Sequence, residues 1–121
     1  MPRVIHWADN TDVYLHCESV DFRKSINGLS LIVEDTMGLS LMSGSLFVFC
    51  NKRRDKLKAL YWDESGFALW YKRLEKEKFK WPKNSAQDTL LVDHEQWTWL
   101  LRGFDINRMQ AHEKVHYSDL G

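Results

Sequence analysis

The stretch that decides the fold is SLFVFCNKRRDKLKALYWDESGFALWYK, residues 45–72. It holds three runs rich in aromatic and aliphatic residues: Ser45 to Cys50, Lys56 to Trp62 and Phe67 to Lys72. Between the first two stand Asn51, Lys52, Arg53, Arg54 and Asp55; between the last two stand Asp63, Glu64, Ser65 and Gly66. Both interruptions have the residue types that turns require. Short apolar runs joined by such turns read as an antiparallel β-meander. Phe79 to Trp81 adds a short fourth strand, which Pro82 ends.

Pairing the strands across both turns without a bulge sets two faces. Phe47, Phe49, Leu57, Ala59, Tyr61 and Trp70 share one, which is nearly all apolar and is expected to pack on the first helix. The other carries Leu46, Val48, Leu60, Trp62, Phe67, Leu69 and Tyr71, with Lys56, Lys58 and Arg73 toward one end. A slip of one residue exchanges the faces. The second helix covering Leu60 and Leu69 is the plain structural alternative to exposure of that second face.

Upstream, Val13 to Cys17 alternates as a strand. Asp21 reads as a helix N-cap, followed by Phe22, Ile26, Leu29 and Val33 on one helical face. Gly28 within that helix points to close packing, and Gly38 fits the C′ position beyond it. Downstream, Asp93 caps a second helix with Gln96 at N3, a capping box, and Val92 with Trp97 forms a staple. Trp97, Leu100, Leu101 and Phe104 make its apolar stripe, and Gly103 stops it. The fold class is therefore α+β: an antiparallel meander of three to five strands against two or three helices. Residues 1–108 are read as one compact domain and 109–121 as a polar, flexible tail.

The 121 residues suffice for one domain, and a hydrophobic share of 44% builds a core. No apolar run approaches the ~20 residues of a membrane-spanning helix, and no signal peptide is visible. The expected location is the cytoplasm. Cys17 and Cys50 read as reduced, buried hydrophobes there, with a disulfide between them the alternative. Net charge is zero, yet Asn51 to Lys83 holds eleven bases and five acids, a local +6 that the rest of the chain balances with −6. This asymmetry suits a polyanionic partner; a merely solvated basic face is the competing explanation.

The candidate nucleic-acid contacts are the cations Lys52, Arg53, Arg54, Lys56, Lys58, Lys72 and Arg73. The candidate rings are Trp62, Phe67 and Tyr71. Cations reach phosphates, and rings stack on bases. Catalytic signals are weak. His112-Glu113-Lys114-Val115-His116 matches the H-E-x-x-H zinc pattern, but it lies within six residues of the end, has no apolar stripe around it and finds no later ligand except Asp119. His6, His16 and His94 are scattered. Asp21, Asp55 and Asp63 are explained as a cap and two turn residues. No catalytic set, metal site, cofactor or small-molecule substrate is expected, nor a membrane partner.

From Asp21 to Pro82 the chain resembles TnpB, the small second-open-reading-frame protein of the insertion sequence 66 class of bacterial transposable elements. The resemblance is carried by Asp21-Phe22-Arg23-Lys24, Gly28-Leu29, Gly44-Ser45-Leu46-Phe47-Val48-Phe49 and Asn51-Lys52-Arg53-Arg54-Asp55-Lys56-Leu57-Lys58. It continues in Leu60-Tyr61-Trp62-Asp63, Gly66-Phe67, Leu69-Trp70-Tyr71-Lys72-Arg73-Leu74-Glu75-Lys76, Phe79 and Trp81-Pro82. Trp97 to Asp105 is similar to the family's closing helix more loosely. The resemblance implies a non-enzymatic accessory role in DNA transposition beside a larger transposase that carries the acidic catalytic triad, with a third small protein encoded alongside. It supplies the process and not the chemistry. DNA binding through the basic meander is one reading; an adaptor that docks on the transposase, with no DNA affinity of its own, is the other. A metal-dependent hydrolase built on the tail motif is a distant third.

Overall fold

The computed structural model describes residues 11–83 and 87–106. Five strands form one sheet in the order β4-β3-β2-β1-β5. They are β1 (Val13–His16), β2 (Leu46–Cys50), β3 (Lys56–Asp63), β4 (Gly66–Arg73) and β5 (Thr89–Val92). Helix α1 (Ile26–Leu31) runs on into a wider π-helical turn over Ile32–Thr36, and α2 (His94–Leu101) follows β5. The class is α+β, as read from the sequence. The meander β2-β3-β4 forms one side of the sheet. β1 joins it in parallel beside β2, because α1 carries the chain back across one face, and β5 pairs antiparallel to β1.

The core lies in two layers of side chains. On one face Leu46, Val48, Cys50, Leu57 and Ala59 pack with Phe79, Trp81 and the α2 residues Trp97 and Leu100. On the other, Phe47, Phe49 and Leu60 pack with Leu29 and Val33, while Phe22, Ile26, Phe67 and Leu69 lean in partly buried. Each large side chain withdrawn from water here stabilises by ~1.5–3 kcal/mol.

Four sequence expectations are corrected. First, β2 is slipped by one residue against the assumed pairing: Phe47 faces Leu60 and Cys50 faces Leu57. The reason is Asn51, whose N–H donates to the Lys56 carbonyl (3.2 Å) and whose Oδ1 accepts from the N–H groups of Asp55 and Lys56 (3.1 and 3.0 Å). The ladder thus extends to Asn51 and the loop holds four residues. Phe47 and Phe49 do meet α1, but Leu57, Ala59, Tyr61 and Trp70 lie on the α2 side, where the Trp70 and Trp97 rings meet edge-on at 6.4 Å. Leu60 and Leu69 are covered by α1, not by the second helix.

Second, Asp21 is no helix cap. Its carboxylate takes the Arg23 N–H (2.9 Å) and pairs with the Arg23 guanidinium, and the helix starts only after Ser25. Third, Phe79–Trp81 is not a strand. It is an extended strap anchored by the Trp81 Nε1–H donating to the His16 carbonyl (3.0 Å) in the interior. Fourth, Phe104 stands exposed rather than completing the stripe of α2. The Asp93 capping box forms as expected, with Gln96 N–H donating to Asp93 Oδ1 (2.8 Å) and the Asp93 N–H donating to Gln96 Oε1 (2.9 Å). Gly38 and Gly103 take left-handed backbone at φ 66° and 92°. Gly28 is tight: a Cβ there would meet Lys24 at 3.1 Å. Both cysteines are buried and neither is in a disulfide.

Candidate nucleic-acid interface

The β2–β3 loop places Lys52 and Arg53 in solvent, and neither side chain makes a hydrogen bond or ion pair among the described residues. Arg54 behaves differently. Its backbone is left-handed (φ 66°), its guanidinium turns inward beside the Cys50 thiol, and Nη1 is buried without a hydrogen-bond partner. Burial pushes the Cys50 thiol up to about 11, a rise that the nearby Arg54 partly offsets. The loop therefore offers two free cations rather than three. Among the described residues no carboxylate holds Arg54.

The loop does not stand alone. The Leu74 N–H donates to the Asp55 carbonyl (2.8 Å) and the Phe79 N–H to the Arg54 carbonyl (2.7 Å), so residues 74–79 run along it. With Phe79 pointing into the core, the neighbouring Lys76, Lys78 and Lys80 are exposed. These three lysines counted toward the basic stretch in the sequence, but their position beside Lys52 and Arg53 depends on the strap. Alternation around a buried Phe79 was the signal that could have found them.

The strand cations divide between the faces. In the β3–β4 ladder Lys56 is opposite Arg73 and Lys58 opposite Tyr71, while Leu57 is opposite Lys72. Lys56, Lys58, Tyr71 and Arg73 hence share the α1 face. Lys72 lies on the other, where its Nζ donates to the carbonyl of Leu101 (3.2 Å) at the C-terminal end of α2, a position that favours cations. Arg73 is paired with Glu75 at 3.0 Å in solvent, which raises its affinity for the proton. Lys58 is committed to the fold: its Nζ donates to the carbonyls of Phe22 (2.9 Å) and Lys24 (2.8 Å) and sits 4.8 Å from the centre of the Phe22 ring. Burial lowers its pKa, partly countered by the charge of Asp21. Lys56 alone of the strand cations is half-exposed with an ammonium that makes no hydrogen bond or ion pair among the described residues. Its charge acts on Asp55, whose carboxyl is held below its ordinary pKa first by the Asn51 side-chain hydrogen bond and then by Lys56 and Arg53.

The candidate rings divide as well. Trp62 and Phe67 meet edge-on at 5.0 Å beside the β3–β4 turn, both half-buried. That is six residues from Lys56, ~20 Å along the strand. Tyr71, 48% exposed, is the ring that stands among cations. Together with Lys56, Lys58 and the turn residues Asp21, Phe22 and Arg23 it lines a cleft of about 550 Å³. Within it the Arg23 side chain holds the Asp21 carboxyl down to about 2 through hydrogen bonds and charge.

Among the described residues no group of three or more His, Cys, Asp or Glu side chains is placed to hold a metal ion. The H-E-x-x-H stretch, His6 and the tail from 109 lie outside the described residues. No described helix is long and apolar enough to cross a membrane.

Comparison with known proteins gives the context for this surface. The chain is 38% identical over 95 residues to the uncharacterized protein y4jC of Sinorhizobium fredii, covering 77% of this chain and 79% of that one. It is 30% identical over 98 residues to the uncharacterized protein y4hO of the same organism, covering 81% and 84%. No solved structure matches it. The model of the family described as IS66 Orf2 like protein (TnpB_IS66) matches residues 11–111, which hold the whole sheet and both helices, and the chain therefore belongs to the IS66 Orf2-like family.

Proposed function

We propose that this protein, an accessory factor of transposition by its family, works in the cytoplasm by gripping the phosphate backbone of DNA at the basic end of its sheet. The observation that carries the reading is the pair of backbone hydrogen bonds from Leu74 and Phe79 to the β2–β3 loop. They gather Lys52, Arg53, Lys76, Lys78 and Lys80, all exposed, with Lys56 close by on β3. A cluster of unpaired cations repels itself and gains nothing from folding, whereas a polyanion relieves that repulsion and releases counterions.

The test is a salt titration of binding to a duplex of the element's end sequence. If ~4–6 phosphates are neutralised, log affinity falls against log salt with a slope of about −3 to −5. Replacing Lys52, Arg53 and Lys56 together by Gln weakens binding and flattens the slope while leaving the fold intact. Absence of affinity, or affinity indifferent to salt, rejects the reading. Co-purification with the transposase or with the element's other small protein in high salt, without DNA affinity, puts the adaptor role in its place.

A further inference from the structure

The α1-face cleft differs from the loop and strap in having a ring as well as cations. Its floor is Lys56, Lys58 and Tyr71 on neighbouring strands, and its wall is the turn Asp21-Phe22-Arg23. Lys58 bolts that wall to the floor through two hydrogen bonds to backbone carbonyls. The Phe22 face is occupied by the Lys58 ammonium, but Tyr71 is open. The one carboxylate of the cleft, Asp21, is engaged by Arg23; the ammonium groups of Lys56 and Lys58 are its remaining charges, and of the two only that of Lys56 makes no hydrogen bond or ion pair among the described residues. At about 550 Å³ the cleft falls within the ~300–1,000 Å³ of ordinary small-ligand sites. That is room for one nucleotide and too little for a duplex.

We propose that this cleft takes a single unstacked nucleotide, its base lying on Tyr71 and its phosphate against Lys56, so that the protein prefers single-stranded DNA to duplex. The inference rests on the nucleic-acid reading above. A base inside a duplex has both faces stacked and cannot reach a ring in a cleft; a base of a single strand can, and aromatic stacking tolerates any base. The free cations at the loop and strap serve either form.

The experiment measures affinity for a labelled 12-nucleotide single strand and for the duplex of the same sequence at one salt concentration, using the full chain. The wild type is expected to bind the single strand more tightly. Tyr71→Ala is expected to weaken single-strand binding roughly 5- to 160-fold, as for loss of one stacked base, and to leave duplex affinity unchanged. Tyr71→Phe is expected to keep single-strand affinity, which separates a stacking ring from a hydroxyl contact; tryptophan emission checks the fold of both variants. Equal losses on both forms, or no loss on the single strand, overturn the proposal while the phosphate-gripping role stands. Failure of the wild type to bind either form overturns both.

Discussion

Lys56 and Lys58 are two residues apart on one face of β3, and their surroundings give them opposite roles. Lys58 supplies the donor that two backbone carbonyls need, so Lys58→Met leaves the Phe22 and Lys24 carbonyls without it. The expected loss is about 1–2 kcal/mol, read as a lower urea midpoint with an unchanged slope. Lys56→Met, which breaks no side-chain hydrogen bond or ion pair, is expected within ~0.5 kcal/mol of wild type. Both lysines belong to the candidate set in the sequence, where nothing distinguishes them; the distinction comes from a turn more than thirty residues away. Asp21 gives a pH signature. Its folded pKa of about 2 lies below the ordinary 3.8 because Arg23 bonds the carboxylate. The pairing is therefore complete above pH ~4 and lost as pH falls through about 2. The Asp21 carboxyl carbon resonance is expected to titrate with a midpoint near 2, and in Arg23→Gln to move up toward the ordinary 3.8 without reaching it, because the N–H of residue 23 still donates to the carboxylate. A midpoint unaffected by the substitution would remove Arg23 as the cause.

At the scale of elements, α2 was legible and the β2–β3 register was not. The capping box joins residues three apart, so the sequence contains the whole interaction. Asp93→Ala is expected to cost about 1 kcal/mol, seen as a fall in Tm, because the orphan N–H of Gln96 loses its acceptor. The same reasoning misread Asp21, where a guanidinium two residues on competes for the carboxylate more strongly than a helical N–H. In β2 all five residues are buried. Alternation there carries no facial information, and a single side-chain interaction at Asn51 decides the pairing. The β3–β4 hairpin, with a short turn and mixed polarity, paired as its sequence suggested. β5 carries no strand signal of its own in the sequence. Thr89–Val92 is too short to declare itself, and it becomes a strand because β1 offers it an edge.

Across the whole molecule, the neutral total conceals a division of charge that the fold sharpens. The strap brings Lys76, Lys78 and Lys80 to the loop cations, whereas Lys72 lies by strand alternation on the far face, where the end of α2 accepts its hydrogen bond. Replacing the three strap lysines by Gln is expected to weaken duplex binding and flatten the salt slope by up to ~0.9 for each phosphate that is no longer neutralised. Lys72→Gln is expected to leave the slope unchanged; a Lys72 effect as large as the strap's would mean that the other face meets the DNA. The sequence by itself determined the α+β class, the capping box of α2, the family and the excess of positive charge between Asn51 and Lys83. These depend on composition, on periodicity and on interactions spanning a few residues. Only the tertiary structure decided which residues of β2 face α1 and which cations remain free. Those outcomes depend on hydrogen bonds and packing between segments distant along the chain, and a side chain's neighbours are set only when those segments meet.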